Sequence, residues 1–198
     1  NYLINELLTF SKIEMKQMRI SVRKGDIMHF LEELSHIFDI VAGEREIDFI
    51  VNLEDTEEEV WFSPSKLERI LYNLLSNAFK YTQPGGYVKL SAKLIKEEKG
   101  TFVQISVKDN GRGIPKEAQE QIFESYYQVE KRDHREGFGL GLSLTRSLIH
   151  MHKGEIRVES EINKGSDFIV TLNVSEDAYN PDERSSENIT TEEIQKYN

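Results

Sequence analysis

The chain has 198 residues, 38% hydrophobic and 30% charged, with 35 acidic against 25 basic side chains and a formal net charge of −10. That apolar content supports a core of ordinary domain size and excludes a wholly disordered protein, while the negative balance excludes direct binding of nucleic acid through bulk positive charge. With no cysteine there is no disulfide framework or thiolate chemistry, so an anionic ligand needs local basic groups or a metal ion, because charge effects reach only about 8 Å at physiological salt.

Residues 1–18 carry Leu3, Leu7 and Phe10 on one stripe and Ile4, Leu8, Met15 and Met18 on another, the spacing of a coiled-coil helix over about two heptads. So short a coil does not stand alone, and the segment reads as the end of a longer helix in an excised piece of a larger protein. An ordinary amphipathic helix on the domain is the alternative. Ile20 and Val22 alternate as a short strand. Asp26 stands as N-cap to a helix carried by Ile27, Phe30, Leu31, Leu34, Ile37, Phe38 and Val41. Ile47, Phe49, Val51 and Leu53 alternate as a half-buried strand. An acidic loop, Glu54 to Glu59, leads into Val60-Trp61-Phe62.

Ser63-Pro64 is an N-cap followed by Pro at the first helical position. The helix runs through Leu67, Ile70, Leu71, Leu74, Leu75 and Ala78, and Pro84-Gly85-Gly86 ends it. Strands are expected at 87–96 and 101–108. Residues 109–141 then hold five of the 12 glycines, around a short helix and a charged stretch. A helix over 140–152 stops at Gly154, read as its C′ residue. His150 and His152 fall at that helix end, where cationic character suits the dipole. Strands at 155–160 and 167–174 close the domain. From Ser175 onward seven acids face two bases among few apolar residues, the signature of a solvated linker or tail. The pattern is α+β: a two-layer sandwich, a mixed sheet with helices on one face.

Three segments carry the chemistry. In Asn73–Thr82 (NLLSNAFKYT) the two amides Asn73 and Asn77 are one helical turn apart, with Lys80 a turn further and Tyr81 beside it. Taken alone, these are more simply helix-surface residues. In Asp109–Pro115 (DNGRGIP) a carboxylate ends a strand, with glycines two and four residues on. Such a loop lets backbone approach a planar ligand, and the carboxylate can accept from an exocyclic amine, though a plain Gly/Asn turn explains it equally. In Gly137–Leu142 (GFGLGL) glycines open a helix after Lys131, Arg132, His134 and Arg135. Free N–H groups at a helix N-terminus suit an anion. The dinucleotide fingerprint and the phosphate-loop pattern are both absent.

In this order and spacing the segments resemble the ATP-binding domain of bacterial sensor histidine kinases, in the superfamily shared with gyrase, the ninety-kilodalton heat-shock chaperones and MutL. NLLSNAFKYT resembles the N box, DNGRGIP the first glycine box, Phe123–Tyr127 (FESYY) the phenylalanine box and GFGLGL the second glycine box. Asn163 to Phe168 (NKGSDF) resembles the final box, and Leu7 to Glu14 the end of the dimerisation hairpin. The resemblance divides the chain into 1–18, the end of a dimerisation and phosphotransfer helix; 19–174, the catalytic domain; and 175–198, an acidic tail. The tail is read as a tether to a receiver domain, or else as a free terminus.

The resemblance implies that ATP lies between the N-box helix and a flexible lid over about residues 130–139. Asn77 would ligate Mg²⁺, with Asn73 assisting; Lys80 and Arg135 would meet phosphate, and Tyr81 would flank the nucleotide. Asp109 would take the adenine amino group, with Gly111, Gly113 and Ile114 beside it and Ser166, rather than Asp167, helping. Gly137, Gly139 and Gly141, with Leu140 and Leu142, would wrap the phosphates. Asn73 stands where the superfamily's ATP hydrolases carry a Glu to activate water. An amide has no such basicity, so the site suits phosphoryl transfer, Asn73, Lys80 and Arg135 acting by placement and charge. The implied reaction is phosphorylation of a histidine on the upstream hairpin, absent from these residues, then relay to a receiver aspartate. The implied setting is a homodimer, the cytoplasmic part of an inner-membrane sensor. Competing readings are a non-catalytic nucleotide-binding module and a water-using ATPase.

Overall fold

A computed structural model of the chain describes residues 18–56, 58–127 and 139–190. The helix read over 1–18 (apart from Met18), the lid residues Arg135 and Gly137, and the last eight residues lie outside the described residues.

In chain order the elements are β1 (Arg23–Asp26), α1 (Ile27–Arg45), β2 (Asp48–Leu53), β3 (Glu59–Phe62), α2 (Pro64–Tyr81), β4 (Tyr87–Glu97), β5 (Gly100–Asp109), α3 (Gly141–Met151), β6 (Glu155–Glu161) and β7 (Gly165–Asn173). Short 3₁₀ turns lie at Lys116–Ala118, Gln121–Phe123, Glu176–Ala178 and Pro181–Glu183. Five strands form one mixed sheet in the order β2-β4-β5-β7-β6, with β2 parallel to β4 and the other pairs antiparallel. The period-2 alternation turns Val88, Leu90, Val103, Ile105, Val107, Phe168, Val170 and Leu172 into one buried face. All three helices pack on it. The opposite face carries Lys89, Lys93, Gln104, Ser106 and Lys108, none of them buried. The two-layer α+β arrangement expected from the pattern is the one observed.

Asp26 caps α1 as read, accepting from the His29 N–H at 3.0 Å. Ser63 precedes α2 as read, but its hydroxyl makes no capping bond; its backbone N–H instead donates to His152 Nε2 at 3.2 Å. Ile20 and Val22 do not form the expected strand: Val22 makes only an isolated bridge, and the strand begins at Arg23, pairing with β3 in a separate two-stranded sheet.

Three expectations are overturned. Gly154 is not the left-handed residue after α3; Lys153 is, at φ 53°. Glycine is needed at 154 for another reason, since a Cβ there would sit 2.2 Å from the Thr171 carbonyl oxygen. His152 is not a cation at a helix end. It is wholly buried, with Nδ1 donating to the Leu148 carbonyl at 2.9 Å and Nε2 accepting from Ser63, and burial lowers its pKa to about 4. The third is the solvated tail. Residues 175–190 fold back: Tyr179 is 3% and Ile189 8% exposed, and the Val22, Ser185 and Ile189 N–H groups donate to Glu183, Val22 and Lys24 carbonyls at 2.8–2.9 Å. The acids stay outside while the few apolar side chains turn in, which composition averaged over the tail hides.

His152 makes stability pH-dependent. Between pH 6.5 and 4 the unfolded chain takes up a proton that the folded chain refuses, so stability falls as pH falls through that window. About 2 kcal/mol should be lost between pH 7 and pH 5. Urea unfolding at the two pH values, beside His152→Gln, checks this; an equal loss in the variant would assign the effect elsewhere.

Candidate nucleotide site

Helix α2 positions four of the expected residues. Leu67, Ile70, Leu71, Leu74, Leu75, Ala78 and Phe79 are all buried, at 0–4% exposure, which fixes the helix's rotation. Asn73, Asn77, Lys80 and Tyr81 are consequently half-buried at the border of that stripe. At 1.5 Å rise per residue, Asn73 and Tyr81 stand about 12 Å apart along one edge of the helix, a length suited to an extended nucleoside triphosphate.

The glycine loop after β5 docks on the Tyr81 end. The Arg112 N–H donates to the Tyr81 carbonyl at 3.4 Å. The Arg112 guanidinium carbon lies 4.3 Å, and the Lys80 ammonium 5.0 Å, from the Tyr81 ring centroid. Asp109 is 5% exposed, and its Oδ1 accepts from the Gly111 N–H at 2.8 Å. Burial pushes the Asp109 carboxyl above the ordinary carboxylate range, aided by the Asp167 charge and opposed by the Gly111 and Ser166 backbone N–H groups.

Behind Asp109 lies a hydroxyl network. Ser166 pairs with Asp109 across the β5–β7 ladder, and its Oγ is 2.9 Å from Ser160 Oγ. Ser160 Oγ donates to the Gly165 carbonyl and accepts from the Ile114 N–H, both at 2.8 Å. Gln119 Nε2 clamps the same corner through the Ile114 and Ser160 carbonyls. Asp167 belongs to the other sheet face, where it accepts from Ser106 Oγ at 2.6 Å.

Helix α3 meets the Asn73 end. Asn73 Nδ2 donates to Thr145 Oγ1 at 2.7 Å, while Asn73 Oδ1 lies against Gly141. Leu140 is buried and Leu142 packs on the core. Just before α3, the Gly139 carbonyl accepts from the Tyr126 N–H at 2.9 Å. Phe123 lies edge-on to Phe168, centroids 6.3 Å apart.

The structure thus brings Asp109, Gly111, Ile114 and Ser166 together, ties them to Tyr81 and Lys80, and sets Asn73 against Gly141. Sequence reading missed Arg112, Gln119, Thr145 and Ser160. Only Arg112 left a signal, as a cation inside the glycine loop; the others act through the tertiary arrangement.

A helix edge bearing two amides, with the Asp109 glycine loop at one end and the first turn of α3 at the other, is backed by a mixed sheet in a domain of the two-layer α+β class. Residues 62–176 match the family described as histidine kinase-, DNA gyrase B-, and HSP90-like ATPase, and the chain belongs to that family. The chain is 34% identical over 177 residues to the sensor histidine kinase WalK of Bacillus subtilis, which covers 88% of the chain and 28% of that protein. It is 34% identical over 174 residues to the adaptive-response sensory kinase SasA of Crocosphaera subtropica, covering 88% of the chain and 45% of that protein. Among solved structures, full-length ShkA in complex with AMPPNP superposes with a TM-score of 0.77 at 26% identity, covering 88% of this chain and 35% of that one. The chain therefore spans less than half the length of these relatives. Among the described residues no helix is long and apolar enough to cross a membrane.

Proposed function

We propose that this chain binds ATP with Mg²⁺ and places the γ-phosphate for transfer to a histidine on an upstream dimerisation hairpin, for relay to a receiver aspartate. The observation that carries the reading is the Asn73 to Tyr81 edge of α2, with Asp109 at one end and the first turn of α3 at the other. Asp109 and Ser166 receive the adenine end, the carboxylate accepting from the exocyclic amine. Asn77 and Asn73 hold the phosphate end with Gly139 and Gly141, and Lys80 and Arg135 neutralise charge. The donor set fits a hard cation. Mg²⁺ takes oxygen ligands and keeps several from phosphate and water, and among the described residues no group of three or more His, Cys, Asp or Glu side chains is placed to hold a metal ion by itself. Two amide oxygens one turn apart suit an ion brought in on the nucleotide, where it would draw off charge developing on the phosphates.

Among the described residues, Asn73 supports transfer over hydrolysis. Its Nδ2 is committed to Thr145, and an amide cannot take a proton from water at neutral pH. Of the described histidines, His152 is buried, and none stands in the acceptor pattern that the resemblance implies, an acidic neighbour with a proline following; the acceptor is assigned upstream of Asn1. The proposed parent is a homodimer signalling at the cytoplasmic face of a membrane, where ATP is available.

Titration calorimetry with a non-hydrolysable ATP analogue, with and without Mg²⁺, tests the site. Asn77→Ala should lose the metal-supported part of binding, and Asp109→Asn should weaken adenine over guanine analogues by about tenfold or more. Unchanged binding in both variants would sink the assignment. Steady ATP hydrolysis by these 198 residues would favour the water-using reading instead.

A further inference from the structure

An asparagine side chain presents an acceptor at one end and two donors at the other, and a cation can use only the acceptor. Which end of Asn73 is turned to the cleft therefore decides whether it can assist a metal at all. Two residues of α3, one turn apart on the same helix face, bear on that choice. A Cβ at Gly141 would fall 2.6 Å from Asn73 Oδ1, so the oxygen is packed against the first turn of α3 in space that only glycine leaves open. The N–H groups of that turn have no partner within the helix and give the N-terminus positive character, which favours an oxygen there over an NH₂ group. At the other end of the amide, Nδ2 donates to Thr145 Oγ1 at 2.7 Å. Thr145 is 1% exposed, and a β-branched side chain inside a helix has few rotamers, so its hydroxyl is a fixed point rather than a mobile surface group.

We propose that Thr145 is a positioning residue of the nucleotide site: its hydroxyl holds Asn73 Nδ2, so that Oδ1 is turned to the first turn of α3, where phosphate and metal are handled. The inference rests on the reading of α2 and α3 as the two sides of the phosphate end. It goes beyond that reading by giving Thr145 a role in the metal response without a contact to the nucleotide. It also gives Gly141 a second duty: its missing side chain makes room for the Asn73 carbonyl.

Thr145→Val keeps the shape and removes the acceptor; Thr145→Ser keeps the acceptor and removes a methyl group. Each is titrated, beside the unmodified chain, with the non-hydrolysable ATP analogue across a Mg²⁺ series, and thermal unfolding is recorded for both. Thr145→Val should weaken Mg²⁺-supported binding by about five- to tenfold, the loss of one hydrogen bond to a partly buried amide. Metal-free binding should change less than twofold, and Thr145→Ser should restore the metal response. A purely structural role would lower the unfolding temperature in both variants and leave the metal response alike, which would overturn the proposal. So would a Thr145→Val titration indistinguishable from that of the unmodified chain. If the unmodified chain itself shows no Mg²⁺-supported binding, the reading of the site fails first and takes this inference with it, an outcome told apart by the unmodified control.

Discussion

A chain ending at Val174 is expected to unfold at markedly lower urea concentration than the full 198 residues, with a loss of about 3 kcal/mol or more. The reason is that the segment after β7 completes the core. Tyr179, 3% exposed, closes a small cluster over Ile20 and Val22, and its hydroxyl donates to the Asn173 carbonyl, with the His152 carbonyl a longer second acceptor at 3.3 Å. Burial, with the nearby Glu183 charge, raises its pKa, so the phenol stays a donor throughout the accessible pH range. Further on, Ile189 covers Gly25, where any Cβ would meet the Ile189 Cβ at 2.8 Å. Removing even one such buried side chain without replacement costs about 3 kcal/mol, and truncation removes both while exposing Ile20 and Val22. The ion pairs Lys153–Glu183 and Arg184–Glu176 add little, being partly exposed. Tyr179→Phe separates the hydroxyl, for about 1 kcal/mol, from the ring, whose loss in Tyr179→Ala should give most of the truncation effect. A truncated chain within about 0.5 kcal/mol of the full one would show that the apolar contacts of this segment are not holding it.

The same segment shows where sequence reading stops. Elements whose burial comes from their own periodicity were legible: the alternation of β4, β5 and β7, the stripe of α2, and the Asp26 cap all depend on residues within a few positions of one another. The tail was not, because two buried residues, Tyr179 and Ile189, are ten apart among acids and no period links them. His152 shows the same limit. A histidine at a helix end is ordinarily solvated, and only contacts with residues distant in sequence, Ser63, Asn173 and Tyr179 among them, enclose this one. Gly154 reads as a helix terminator, but glycine is needed there because of β7 rather than its own helix. At the candidate site, Asn73, Asn77, Lys80 and Asp109 stand out only through the order and spacing of the segments they belong to, which resemble the boxes of sensor histidine kinases; each taken alone reads as a surface residue or a plain turn. Thr145, Ser160 and Gln119 are ordinary polar residues in ordinary positions. The Thr145 bond to Asn73 and the Gln119 bond to Ser160 join residues 72 and 41 apart, while the Ser160–Ser166 and Gln119–Ile114 bonds close a corner whose shape no local pattern fixes.

Gly165→Ala is expected to damage fold and site together, at a cost of about 3 kcal/mol or more and with loss of most nucleotide-analogue binding. Gly165 opens β7 at φ +100°, a conformation that costs a residue with a Cβ about 1–2 kcal/mol. The added Cβ would also lie 1.9 Å from the Asp109 carbonyl oxygen and 2.6 Å from the Asn110 Cα. Both are backbone atoms that cannot step aside as a side-chain tip does, so the turn between β6 and β7 must separate from the Asp109 loop, at about 1–3 kcal/mol more. That separation would break the bond from the Ile114 N–H to Ser160 Oγ, and Asp109 would lose the wall that holds it. Gly43→Ala is the matching control: it is exposed in α1 with nothing within 4 Å of the added Cβ, and should stabilise by up to about 1 kcal/mol through helix propensity. Urea unfolding and analogue binding measured on both variants separate the cases. If Gly165→Ala binds the analogue normally at normal stability, Asp109 is not held from behind as described, and the adenine end of the site must lie elsewhere. If stability falls while binding survives, the wall is structural only, and Asp109 selects its ligand through the Gly111 loop alone.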